Sequence, residues 1–204
     1  MTASAPPALP TTGLATALIA RRSVRAFVDA PLDPADLTAL AWAAQGDTGD
    51  GRRTTPSAGG RHPLAVTAVV RHVTDTAPGL WRWEPDAGAL TRVAPGGFGP
   101  ALAACTVDAR DWLADAAVVL LLSADLEAAR AAFATEPPAW ERGARYVWLE
   151  AGAAAQNLAL QAAVLGLGAV LVGAFDDDLL HAVHPELLPD GHDPLAMVAV
   201  GCAA

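Results

Sequence analysis

The chain contains no lysine: all thirteen of its basic side chains are arginines, set against 22 acidic ones, for a net charge of −9 over 204 residues. That balance excludes a general nucleic-acid or membrane-surface binder, which needs a spread basic face. Cysteine is nearly absent. Cys105 and Cys202 stand alone and far apart with no C-x-x-C, which excludes a disulfide framework and a cysteine zinc site and points to the reducing cytoplasm. Aromatics make up 5% of the chain, Tyr146 is its only tyrosine, and six of the aromatics are tryptophans, read as core or interface residues. No serine sits in G-x-S-x-G and no cysteine has a nearby base, so nucleophilic hydrolysis has no support. No long apolar run is unbroken. The longest, 151–175, is interrupted by Gln156, Asn157, Gln161, Gly166 and Gly168, and reads as a buried helix and strand rather than a membrane span. Residues 1–12 have neither a charged start nor an apolar core, and read as a flexible lead-in rather than a signal peptide.

What remains is one domain over 13–204, with a 53% apolar composition sufficient for a well-buried core. Cap and periodicity signals predict helices over 12–20, 34–45 (Asp33 as N-cap, Pro34 at the first position), 101–110, 125–133, 142–165 and 177–184. Strands are predicted over 64–73, 80–84, 89–93, 116–123, 169–172 and 195–200, with a hairpin turn at 85–88. Residues 46–51 read as a loop and 52–63 as irregular. Strands and helices mix without βαβ alternation, so the class is α+β. The sequence has no internal repeat.

Three segments carry candidate chemistry. Arg21, Arg22, Ser23 and Arg25 gather three guanidiniums in an acidic chain. Their planar forks suit a phosphate, although arginines at a helix C-terminus also complement its dipole. Pro56, Ser57, Ala58, Gly59 and Gly60 would let backbone approach a flat ligand closely, or form a plain surface turn. Gly166 to Asp176 is not a dinucleotide fingerprint, because its glycines follow a helix and precede a strand. Gly166 is the expected helix terminator, and Val172, Gly173 and Ala174 mark a strand end where backbone amides meet ligands. His181, His184 and His192 read as a solvated helix end rather than a metal site. Asp176, Asp177 and Asp178 read as helix-start acids.

In order and spacing, the segments RRSVRAF (21–27), PSAGGRHPL (56–64), LWRWEPDAGAL (80–90), LEAGAAAQNLALQAAVLGLGAVLVGAFDDD (149–178) and MVAVG (197–201) resemble the nitroreductase-like flavoprotein superfamily. Within it the chain looks closest to SagB-type dehydrogenases, relatives of the thiazoline and oxazoline oxidases. The resemblance implies a mostly antiparallel central sheet flanked by helices, an intertwined homodimer, and FMN at its interface. By similarity Arg21 would hold the phosphate, with Arg22 and Ser23 beside it, and Arg25 would reach the ribityl chain or the N1/O2 edge. Pro56 to Gly60 would contact the flavin from the other protomer, and Val172, Gly173 and Ala174 would line a ring face. The small residues Gly152 to Ala155 of the long helix would allow close helix packing in the dimer. The implied activity is flavin hydride transfer to or from a small natural-product-type molecule, with NAD(P)H as a candidate donor. A non-catalytic flavin carrier and an NAD(P)H-dependent nitro or quinone reductase are the other readings. No side chain is named as catalytic. Two departures stand out. Family members usually place a basic residue just after the last strand, where this chain has Cys202, Ala203 and Ala204, so Arg142 or Arg145 is a candidate substitute. Azoline oxidases tend to use a Lys-Tyr pair, and there is no lysine here.

Overall fold

The computed structural model describes residues 13–108 and 110–204; the lead-in over 1–12 and the helix start expected at Thr12 lie outside them. The chain runs through α1 (Gly13–Ala20), α2 (Pro34–Gln45), a small hairpin of β1 (Asp47–Gly49) and β2 (Arg52–Arg53), a 3-10 turn (Ala58–Gly60) and β3 (Ala65–Val70). The hairpin β4 (Gly79–Glu84) and β5 (Ala89–Pro95) follows, then α3 (Gly99–Cys105), α4 (Trp112–Asp115), β6 (Val118–Ala124) and α5 (Leu126–Ala132). The 24-residue α6 (Glu141–Val164), β7 (Gly168–Val172), α7 (Asp177–Val183) and β8 (Asp193–Gly201) complete it.

Local chemistry sets most element ends. Asp33 accepts from the Ala35 N–H at 2.8 Å, and Pro34 sits in the first turn of α2, where its missing N–H leaves nothing unpaired. Asp125 caps α5 through the Ala128 N–H, and Asp176 caps α7 through the Leu179 N–H. The long helix ends where the sequence says: Gly166 adopts φ +73°, its N–H reaches the Ala163 carbonyl, and the Leu167 N–H reaches that of Ala162. This is the paired closure that a left-handed residue makes possible.

Six strands form one sheet in the order β5-β4-β3-β6-β8-β7, every neighbour antiparallel, which meets the α+β expectation. Every residue of β6 is buried because both faces are covered. Val118, Leu120 and Leu122 join a core with α2, α5 and α6; Val119 and Leu121 join a second core with α3, α4 and α7. That two-sided burial explains an apolar run without alternation. Two predictions needed correction. Residues 47–53 form the short β1–β2 hairpin, where a loop was expected over 46–51 and irregular chain from 52, and the helix expected over 101–110 ends at Cys105, with α4 following as a separate turn. Among the described residues no helix is long and apolar enough to cross a membrane.

Candidate functional site

After α1 the chain straightens and lies along the sheet's β7 edge. The Val24 N–H donates to the Ala169 carbonyl at 3.0 Å, and farther on the Val28 N–H donates to that of Cys202 at 3.0 Å. Gly168 permits the crossing, since a Cβ there would stand 2.7 Å from Val24 Cγ1. The three arginines then divide. Arg22 folds back onto the carbonyls of Ile19 and Arg21, so the dipole-complementing role belongs to this one. The side chains of Arg21, half-buried, and Arg25, exposed, have no hydrogen bond or ion pair among the described residues. Arg21 and Ser23 line a pocket of about 200 Å³ whose walls are Gly152, Gln156 and Ala159 of α6 and Leu171 of β7. Arg25 lies outside that lining.

Beyond Leu171, Val172 is buried, Gly173 is exposed and Ala174 is half-buried. A Cβ on Gly173 or on Gly152 would meet nothing within 4 Å, so the backbone at both places is open to a flat partner. These features fit FMN in kind: two unengaged guanidiniums and a hydroxyl for a phosphate, and bare backbone for a ring. The C-terminal residues run beside the arginine segment, with the Ala204 N–H on the Ala26 carbonyl. A basic residue after the last strand would therefore stand next to the arginines; here Cys202, Ala203 and Ala204 fill that place. Arg142 is engaged elsewhere, on the Pro137 carbonyl and over the Tyr146 ring. Within one chain it is about 20 Å along α6 from Gln156, at 1.5 Å per residue.

The Pro56–Gly60 segment is built from below. Thr55 Oγ1 donates to the Ala44 carbonyl at 2.7 Å, and Asn157 Nδ2 of α6 donates to the Thr54 carbonyl and Thr55 Oγ1 at 3.2 Å each. Gly59 and Gly60 both have positive φ, +64° and +62°, which glycine adopts without strain. Ser57 Oγ accepts from the His62 N–H at 2.8 Å. Pro56, Gly59 and Gly60 are exposed, and Ser57 and Ala58 half-buried. Within one chain this segment does not meet the arginines. Ser57 and Ala58 instead line a cavity of about 240 Å³ with Phe133, Tyr146, Glu150 and His192. Phe133 and Tyr146 meet edge to face at 5.0 Å, and Arg61 lies over Phe133. Both halves of the expected site thus share α6 as a wall, at successive turns.

Sequence reading missed Glu150. It is 4% exposed, yet among the described residues it pairs with no cation, and its polar neighbours are the Gln45 amide, which donates at 3.4 Å, and the Ser57 hydroxyl. Burial pushes its carboxyl above the usual glutamate range, and the bonds from Ser57 and Gln45 offset this only in part. A signal was present: Val147, Glu150, Ala151, Ala154 and Leu158 fall on one face at helical spacing, so an acid stands in an apolar stripe. Burial lowers the affinity of the nearby His192 for a proton. Among the described residues no three His, Cys, Asp or Glu side chains converge where a metal ion could bind. His181 is bonded to the Asp177 and His192 carbonyls.

The nitroreductase family profile matches residues 18–202. A candidate nitroreductase of Methanocaldococcus jannaschii is 35% identical over 185 residues, which cover 90% of this chain and 88% of that protein. Among solved structures, a candidate nitroreductase from Anabaena variabilis superposes with a TM-score of 0.77 at 23% identity, covering 94% of this chain, which spans only 38% of that one. A candidate nitroreductase from Desulfovibrio desulfuricans, solved in complex with FMN, gives a TM-score of 0.66 at 21% identity over 96% of this chain and 88% of its own. The Escherichia coli microcin synthetase McbBCD complex, solved with truncated pro-MccB17 bound, gives 0.71 at 21% identity over 87% of this chain and 67% of the matched one.

Proposed function

This chain belongs to the nitroreductase family, a family of oxidoreductases that is generally flavin-dependent, and from that premise we propose that it is an FMN-dependent oxidoreductase of the SagB-type branch. It works as a homodimer on a small natural-product-type molecule. The observation that carries the reading is the unengaged guanidinium of Arg21 beside the Ser23 hydroxyl, in a pocket walled by the open backbone of Gly152, with the equally unengaged Arg25 four residues on. In an acidic chain two such cations call for an anion.

When bound, FMN supplies hydride transfer at its N5. The chain's residues hold and surround it. Arg21 and the Ser23 hydroxyl take the phosphate; Arg22 joins them only by leaving the last turn of α1. Arg25 puts a cation toward the ribityl chain or the N1/O2 edge, and Val172, Gly173 and Ala174 face the ring. Pro56 to Gly60 come from the other protomer, which accounts for their separation from the arginines within one chain. The dimer reading is supported by apolar side chains on α6 and β7 that stay uncovered among the described residues: Leu149 is 66% exposed, Val164 63% and Leu171 55%. The Phe133–Tyr146 cavity is then the place for the substrate, with Arg142 and Arg145 on the segment leading into it.

A second reading, an NAD(P)H-dependent nitro or quinone reductase, is favoured by the description of the Methanocaldococcus relative. Anaerobic mixing of the FMN-loaded protein with NADPH separates the two. Bleaching of the flavin by NADPH favours the reductase, and bleaching only by an organic substrate favours the dehydrogenase. A loaded protein that no donor bleaches is a carrier, and contradicts both.

A further inference from the structure

Glu150 is a buried carboxyl with no structural reason to be one. It stands in the apolar stripe of α6, where the neighbouring positions are Val147, Ala151 and Ala154. An apolar residue there would pack without the cost of desolvating an acid. Its polar partners are neutral: the Gln45 amide and the Ser57 hydroxyl, the latter already accepting the His62 N–H. It also lines the cavity behind Ser57 and Ala58, and a second one of about 280 Å³ with Pro56, Tyr146 and Leu149. The titratable groups on the surrounding elements are Arg61 and His62 of the 56–63 segment, Asp125 at the start of α5, His192 ahead of β8, and Tyr146 on α6 itself. Among the described residues Glu150 forms an ion pair with none of them.

We propose that Glu150 is the acid–base group of this cavity, holding the proton that accompanies a hydride moving between substrate and flavin. The inference rests on the flavoprotein reading above. In the oxidising direction a substrate C–H bond breaks and its hydrogen leaves with both electrons to the oxidised flavin. The proton of the adjacent N–H or O–H passes to the Glu150 carboxylate, and a C=N or C=O bond forms. In the reducing direction, with reduced flavin as hydride donor, protonated Glu150 returns that proton to the heteroatom. Burial favours the protonated form and moves the group toward the pH range where an acid–base catalyst works best. The Ser57 hydroxyl beside the carboxyl offsets that effect in part, while its Oγ takes the His62 N–H.

The test uses the FMN-loaded protein, reduced anaerobically and mixed with 1,4-benzoquinone, a neutral planar acceptor of one hydride and one proton. Infrared titration of the carboxylic acid stretch runs alongside. In the wild type the rate of flavin reoxidation should fall as pH rises through the Glu150 titration, and a protonated-carboxyl band should persist above pH 4.5, the ordinary glutamate value. Glu150→Gln should retain FMN, lose that band, react about 10²-fold more slowly, and show no pH dependence across the window. Glu150→Asp should recover part of the rate and the acid limb, and it decides the matter if the glutamine variant does not fold. An unchanged rate and profile in either variant that retains FMN overturns the proposal and leaves the flavin reading standing; so does a Glu150 band that titrates in the ordinary range. A wild type that takes up no FMN overturns the flavin reading, and this proposal with it.

Discussion

Replacing Arg21 with alanine separates a ligand-binding arginine from structural ones. The Arg21 side chain makes no hydrogen bond or ion pair among the described residues, so its loss should change stability by less than about 0.5 kcal/mol. It should remove a charge-assisted phosphate bond of about 1.5–3 kcal/mol. At 1.4 kcal/mol per decade that is a loss of roughly 10- to 150-fold in FMN affinity. Arg142→Ala should behave in the opposite way. It gives up the Pro137 carbonyl and the Tyr146 ring, a stability loss of about 1 kcal/mol, with FMN affinity held within about twofold. Arg22→Ala, which uncaps the end of α1, should cost a few tenths to about 1 kcal/mol. The assay is FMN fluorescence quenching at fixed salt, because an exposed phosphate contact is screened, paired with urea unfolding of each apoprotein. Equal FMN affinity in Arg21→Ala and Arg142→Ala would refute the assignment.

Other outcomes follow from the same geometry. Gly143→Ala drives a Cβ into the Ala129 carbonyl where α6 crosses α5, and should destabilise by about 1–3 kcal/mol in urea unfolding; a neutral result would mean the helices can part there. Gly168→Ala should push Val24 and the arginine segment off β7 and weaken FMN binding more than it lowers Tm; unchanged FMN binding would show that the strap does not position the arginines. The raised Glu150 pKa makes the folded state hold its proton more tightly than the unfolded one. The resulting stabilisation is complete below about pH 4.5, the ordinary value, and is lost as pH rises through the folded-state pKa. Glu150→Gln should flatten that slope in urea titrations at a series of pH values, and an identical slope would place the carboxyl in solvent.

Much of the fold was legible because its signals are local. Asp33-Pro34, Asp125 and Asp176 mark helix starts by chemistry confined to a single turn, and Gly166 marks a helix end by its left-handed backbone. The β1–β2 hairpin was not legible. Its strands are two and three residues long and mostly exposed, so no apolar alternation announces them. The small-residue run Gly152 to Ala155 suggested close helix packing, but within the chain the tight approach is at Gly143, and Gly152 faces open space. Which small residue touches a neighbour depends on the crossing point of two helices, and no single helix encodes that. The arginine segment was visible as a cluster, yet only the structure divides it, because Arg22 alone is within reach of the α1 carbonyls. In the sequence Glu150 stands out only as part of a longer motif, and Asn157 only as a polar break in an apolar run. Their roles under the 54–58 segment depend on contacts about a hundred residues away in sequence.

Visible absorption of the purified protein, after incubation with FMN and removal of unbound flavin, bears most directly on the claim that this chain is a flavoprotein. A retained band near ~450 nm, expected of oxidised flavin as a property of the cofactor, stoichiometric with the chain and diminished in Arg21→Ala, is the predicted result. A folded protein that stays colourless would contradict it.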